Sequence, residues 1–252
     1  MTPLATDTLV AEKDGPIGYL IVDRTARPNA VSGDMWEAAS GLLADFAADS
    51  AIRVVVLCRA GGAAFYSDAE EEANRAHDER AHQPLIVMPK PTIAMIRGDC
   101  VGRGVSTALC CDLRIASDTS RFALPAARHG LGCGVEGVAR LVRQVGPSFA
   151  KEILFTARPF TAQEALEMKL VDRVVPESAL DDYVSDYAAT IAGNAPMTMH
   201  AVKVAVLEDG RNPGDRDLDL CERLVDRCNA SEDYAEGRRA FMEKRKPVFV
   251  GR

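Results

Sequence analysis

"GDCVGRGVS" occupies residues 98–106, between the apolar run "KPTIAMIR" (90–97) and "TALCCDLRIA" (107–116). Its glycines at 98, 102 and 104 let the backbone turn sharply and come close to a neighbour. The flanks give the turn its context. "TIAMIRG" (92–98) reads as a buried strand, Gly104–Asp112 as a helix and "LRIAS" (113–117) as the next strand. Two nucleotide-binding readings fail. A GxGxxG fingerprint needs glycine at 107, where threonine stands, and a phosphate loop needs Gly-Lys followed by Ser or Thr. Two readings remain: a tight strand-to-helix turn with no ligand, or a helix start whose amides near Gly102–Gly104 stabilise negative charge on an oxygen.

A second unit of the same kind lies upstream. "GGAAFYSDAEEE" (61–72) follows the strand "RVVVLCR" (53–59) and opens the polar helix "DAEEEANRAHDERAH" (68–82). Two strand–turn–helix units that each aim backbone amides could clamp one carbonyl oxygen between them. Further out, "LVAEKDGPIGYLIVD" (9–23) reads as a hairpin turning at Asp14-Gly15. "SGDMWEAASGLLADFAAD" (32–49) is a capped helix with Met35, Trp36, Leu42, Leu43 and Phe46 at helical spacing. After "FALP" (122–125) helices dominate, and 195–210 and 217–245 read as wholly helical. The fold class is therefore α/β with a helical C-terminal region.

Composition narrows the function classes. The chain has 252 residues and a formal net charge of −7, which argues against a nucleic-acid-binding face. No apolar run approaches a membrane span, and the N-terminal stretch lacks a signal-peptide pattern. Seven cysteines, with no CxxC pair and no zinc spacing, read as reduced thiols in a cytoplasmic protein with no metal site.

The motifs together resemble the crotonase, or enoyl-CoA hydratase/isomerase, superfamily. The resemblance is carried by "DRTARPNAV" (23–31), "AFYSDAE" (64–70), "KPTIAMIRGDCVGRGVSTALCCDLRIA" (90–116), "FALPAARHGLGCGVEG" (122–137), "FTARPFTAQEALEMKLVDRVVP" (155–176) and "AFMEKRKPVF" (240–249). It implies a crotonase-type spiral of ββα units. Residues 1–194 would form the acyl-CoA-binding core and residues 195–252 a helical trimerisation region, giving a homotrimer or homohexamer. It implies acyl-CoA thioesters as ligands, with no separate cofactor because coenzyme A is part of the substrate. An enolate-like oxyanion would be held by the backbone N–H groups of Ala69 and Arg103. Ser67 falls at the adenine contact, Arg27 and Ala30 on the CoA-proximal segment, and Lys244 where the family's lysine reaches a neighbour's CoA phosphate. Val225 stands at the family's adenine-packing aromatic.

The departures concern chemistry. A hydratase needs two carboxylates, one as base toward water and one as acid toward the α-carbon. The resemblance places them at Ser106 and Ala126, and neither is a carboxylate. Arg103 replaces the middle glycine of the family's GGG, and Asp68 the glycine of AGxD. Glu136, near the pocket-closing glycine turn, and Asp68, beside the first amide donor, are candidate substitutes; each also reads as a helix-start carboxylate. Ser106 and His129 could form a thioester-hydrolysing pair. Cys100 and Cys133 read as core or loop thiols, and His77, His82 and His200 carry no motif. Three functions stay open: an acyl-CoA enzyme working by isomerisation, hydrolysis, decarboxylation or weak hydration; a non-catalytic acyl-CoA binder; and a structural subunit of active relatives.

Overall fold

In the computed structural model the described residues are 9–23, 33–60, 64–66 and 82–252, of which 33–37, 64 and 66 are described by backbone only. The chain opens with an antiparallel hairpin of β1 (Leu9–Asp14) and β2 (Ile17–Val22), in which Asp14 faces Ile17. Helix α1 (Gly33–Ala48) follows, then β3 (Val54–Arg59), β4 (Ala64–Tyr66), α2 (Gln83–Ile86), β5 (Thr92–Ile96), β6 (Asp99–Val101), α3 (Arg103–Ala108), β7 (Leu113–Ser117) and β8 (Arg121–Ala123). Strands alternate between two sheets. The larger has the order β1-β2-β3-β5-β7-β10, with β10 at Arg173–Val175; the smaller has the order β4-β6-β8-β9, with β9 at Phe160–Thr161. Each ββα turn places one strand in each sheet, as in β5–β6–α3, and the next turn stacks beside it. From β2 to β10 the large sheet is parallel, as are β4, β6 and β8.

The two-residue side-chain period of a strand separates the core into two layers. Val55, Leu57, Ala94, Ile96 and Ala116 point toward the smaller sheet, where Phe65, Cys100, Phe122 and Phe160 meet them. Val54, Val56, Cys58, Ile93, Met95 and Ile115 point the other way, onto Leu180, Val184 and Ala188 of α6 (Leu180–Ala192). Strands buried on both faces explain why "RVVVLCR" and "TIAMIR" are continuous apolar runs. Gly18 of β2 is a close-approach position: a Cβ there would sit 3.1 Å from the Phe46 ring of α1.

The remaining helices are α4 (Val135–Thr156), bent at Gly146 ahead of Pro147, α5 (Ala162–Glu167), α7 (Pro196–Asp209), α8 (Leu218–Asn229) and α9 (Glu232–Glu243). Two expectations need correcting. The helix read to Asp112 ends at Ala108, because Asp112 serves another element. Its carboxylate accepts from the Thr92 amide (2.7 Å), the Thr92 hydroxyl (2.9 Å) and Lys203 Nζ (2.8 Å). The 217–245 stretch is two helices. Ser231 breaks it by accepting from the Tyr234 amide at 3.0 Å, which caps α9.

The C-terminal segment folds back over the start of α9. Asp233, 2 % exposed, accepts from the amides of Val250 (2.7 Å) and Gly251 (2.9 Å). Glu236 takes Arg245 and the Val248 amide, and the guanidinium holds its carboxyl at about 2. This lowered carboxyl contributes stability above the unfolded-state value, which is lost as pH falls through about 2. Val202, Val206, Leu218, Val225, Phe241 and Met242 on α7–α9 remain exposed. No helix among the described residues is long and apolar enough to cross a membrane.

Candidate functional site

Strand register places the ends of β4, β6 and β8 side by side. In the small sheet Tyr66 pairs with Cys100, and Cys100 with Phe122. The strands are parallel, so all three leave the sheet at one edge. Three residues beyond those partners come Ala69, Arg103 and Pro125, and three residues reach at most about 10 Å. Ligands of parallel α/β sheets gather at such carboxyl ends. Ala69, Asp68, Ser67, Arg27 and Ala30 themselves lie outside the described residues, as does the polar helix read over 68–82 except for His82.

The turn from β6 into α3 is fully described. Gly102 has φ +56° and ψ −113°, a backbone conformation that side-chain-bearing residues avoid. Its amide donates to Ala123 O of β8 at 2.9 Å, and its carbonyl accepts the Ser106 amide at 3.3 Å. The first bond pins the turn to the neighbouring strand; the second starts the helix. Arg103 is thus the first residue of α3, in the turn where a helix leaves its amides without intrahelical acceptors. Gly102→Ala is expected to cost on the order of 1–3 kcal/mol through backbone strain, which urea unfolding checks.

Burial along α3 shows which face looks outward. Gly104, Val105, Thr107 and Ala108 are buried, whereas Arg103 and Ser106 are half-buried. Residues three apart share a helix face, so the open face of α3 carries one guanidinium and one hydroxyl. The Ser106 hydroxyl has no hydrogen-bond partner among the described residues; only the Ser106 backbone is engaged, its carbonyl accepting from Cys110 Sγ at 3.2 Å.

The other candidates fall as follows. Ala126 lies half-buried in the 3₁₀ turn Pro125–His129 that follows β8, on the same edge as α3. His129 ends that turn, exposed, and makes no hydrogen bond to Ser106. Glu136 is exposed in the first turn of α4. Cys100 is fully buried and its thiol is pushed far up by burial, so it is no nucleophile; Cys133 is exposed in the loop before α4. Lys244 closes α9 in the left-handed conformation, φ +53°, with its side chain exposed. Val225 is 52 % exposed on α8.

The structure adds one group that sequence reasoning passed over. His82 Nε2 lies 3.0 Å from Thr107 Oγ1, and Thr107 is completely buried on the inner side of α3. The bond ties the residue before α2 to the residue after Ser106. A separation of 25 positions gives no local pattern that would reveal it.

Residues 12–252 match the Enoyl-CoA hydratase/isomerase family. The short-chain-enoyl-CoA hydratase of Clostridium acetobutylicum is 30 % identical over 95 % of this chain and 96 % of its own length. Methylmalonyl-CoA decarboxylase of Escherichia coli is 34 % identical over 65 % of this chain and 63 % of its own. Among solved structures, an enoyl-CoA hydratase/carnithine racemase from Magnetospirillum magneticum superposes with a TM-score of 0.87 at 34 % identity, covering 98 % of this chain and 97 % of that one.

Proposed function

The chain belongs to the enoyl-CoA hydratase/isomerase family, and from that premise we propose that it binds acyl-CoA thioesters at the edge where β4, β6 and β8 end. The thioester oxygen lies between the backbone N–H groups of Ala69 and Arg103. The observation that carries this reading is the β6–α3 turn: Gly102, pinned to β8, sets the Arg103 amide in the first turn of a helix at a strand's carboxyl end. Two amides aimed at one oxygen favour the enolate over the thioester.

Hydration is not the chemistry this site performs efficiently. Ser106 and Ala126 occupy the positions from which two carboxylates would act, and neither side chain is a base at neutral pH. What the site retains suits reactions that need only a stabilised thioester enolate, of which decarboxylation is one, or binding without turnover. The name of the E. coli relative shows that a protein similar to this one decarboxylates an acyl-CoA. A Ser106–His129 hydrolase is less favoured, because no hydrogen bond joins the two. Glu136 and Asp68 are the candidate acid–base substitutes, and the first to replace if hydration is found. Ser67, Arg27, Ala30 and Lys244 are assigned to the coenzyme A portion. Residues 195–252 form the trimerisation region, and the exposed apolar residues of α7–α9 support that assignment. A trimer or a dimer of trimers in the cytoplasm, with no cofactor beyond coenzyme A, completes the proposal.

Ala69→Pro removes one of the two donors. It is expected to lower butyryl-CoA affinity several-fold, about the 1 kcal/mol of one hydrogen bond, with unchanged thermal unfolding as the control. A folded variant that binds as the parent does refutes the role given to Ala69.

A further inference from the structure

We propose that Arg103 makes the site selective for acyl thioesters whose acyl group carries its own carboxylate, so that the substrate class is dicarboxylic acids held as monothioesters. This rests on the placement of the thioester at the start of α3.

The argument begins with the burial pattern. Four of the six residues of α3 are buried, and the two that are not, Arg103 and Ser106, share its open face. Any acyl group that reaches across α3 from an oxygen held at its first turn passes the half-buried Arg103 and then Ser106. An alkyl chain in that position shields the guanidinium from water and returns nothing, which is unfavourable. A carboxylate returns two parallel charge-assisted hydrogen bonds, for which the planar guanidinium is suited. Arginine carries five N–H donors, so it accommodates a carboxylate alongside another contact. The Ser106 hydroxyl can donate one bond more.

The surrounding charges point the same way. Carboxylates at 106 and 126 would repel an anionic acyl group; serine and alanine do not. The 3₁₀ turn after β8 contributes Arg128 and His129, both exposed on that edge. Of the described acidic residues nearest in sequence, Asp99, Asp112 and Glu136 are all exposed, where solvent and salt screen them, while Asp68 and Glu70, Glu71 and Glu72 lie outside the described residues. The residues that remove hydratase chemistry thus also remove the obstacle to an anionic substrate, and Arg103 supplies the countercharge.

The test is a calorimetric titration of the full chain with succinyl-CoA, butyryl-CoA and free coenzyme A. Succinyl-CoA is expected to bind at least about tenfold more tightly than butyryl-CoA, the effect of one hydrogen bond to a charged group. The ratio should shrink as salt is raised. Arg103→Met should bring the ratio to one, and Arg103→Lys should restore part of it. Equal affinity of the parent for the two thioesters overturns the inference and leaves the site in place. Butyryl-CoA binding no tighter than free coenzyme A overturns the site as well. A parallel loss of free coenzyme A affinity in Arg103→Met, with the thioester ratio intact, assigns Arg103 to the cofactor's phosphates and overturns the inference. The parent's ratio needs no variant, so a misfolded substitution leaves the test standing.

Discussion

Crotonyl-CoA hydration by the unmodified protein is expected to run several orders of magnitude below that of a relative with two carboxylates. A positioned acid or base contributes roughly 10²–10⁴-fold, and the proposed function assigns the places of both to Ser106 and Ala126, neither of them a carboxylate. The structure places them on neighbouring elements of one edge: Ser106 on the open face of α3, Ala126 in the turn after β8. Under the proposed function, the rate enhancement that remains comes from the two amides and from binding. Ser106→Glu with Ala126→Glu is expected to raise hydration if the Arg103 side chain leaves room for substrate. The two new carboxylates would stand near each other and push at least one pKa up, so unfolding must be compared first. Spectrophotometric turnover of crotonyl-CoA decides the matter. A rate like that of an ordinary hydratase would mean that other groups move the protons, and would direct substitution to Glu136 and Asp68.

A large loss of stability is expected at Arg114, which is not among the candidate site residues. Arg114 is 4 % exposed and sits on β7. Its guanidinium donates to Leu170 O (2.9 Å), Cys111 O (2.9 Å) and Asp172 Oδ2 (3.0 Å), while the same carboxylate oxygen accepts the Arg114 amide at 2.7 Å. These bonds hold the 170–172 stretch, and through it β10, against the edge of the large sheet. Arg114→Met keeps the aliphatic stem and strands two carbonyls and a carboxylate. Breaking a buried pair costs about 3–5 kcal/mol. The Asp172 side chain is 29 % exposed, so solvent recovers part of this and sets the expectation near the lower end, about 3 kcal/mol. At roughly 2–4 °C per kcal/mol for a chain of this size, the midpoint should fall on the order of 10 °C. A loss below about 1 kcal/mol in urea unfolding would show that the network is dispensable.

Much of the large sheet is legible in the sequence because its strands are long and apolar: "RVVVLCR", "TIAMIR" and "LRIAS" can hardly be anything else. The small sheet is not. Its strands have two or three residues, too few for a period, and they exist because the long strands beside them bring Tyr66, Cys100 and Phe122 into line. That sheet sets the spacing of the candidate site, so the motifs could be recognised before the reason for their spacing was visible. The end of α3 was misplaced for a related cause. Nothing local tells "ALCCD" to stop being helix at Ala108; Thr92 and Lys203, both distant in sequence, claim Asp112. Motif position marked Arg103 and Ser106 one by one, whereas their shared open face and the His82–Thr107 bond needed the fold.

The central claim is that backbone amides hold a thioester oxygen, and one comparison addresses it directly. Butyryl-CoA and S-butyl-CoA differ only in the carbonyl oxygen of the thioester. Titrated against the same protein at the same salt, butyryl-CoA is predicted to bind about thirtyfold more tightly, as two hydrogen bonds of about 1 kcal/mol each would give. Equal affinities would contradict the claim, since a site that ignores the carbonyl oxygen has no oxyanion hole.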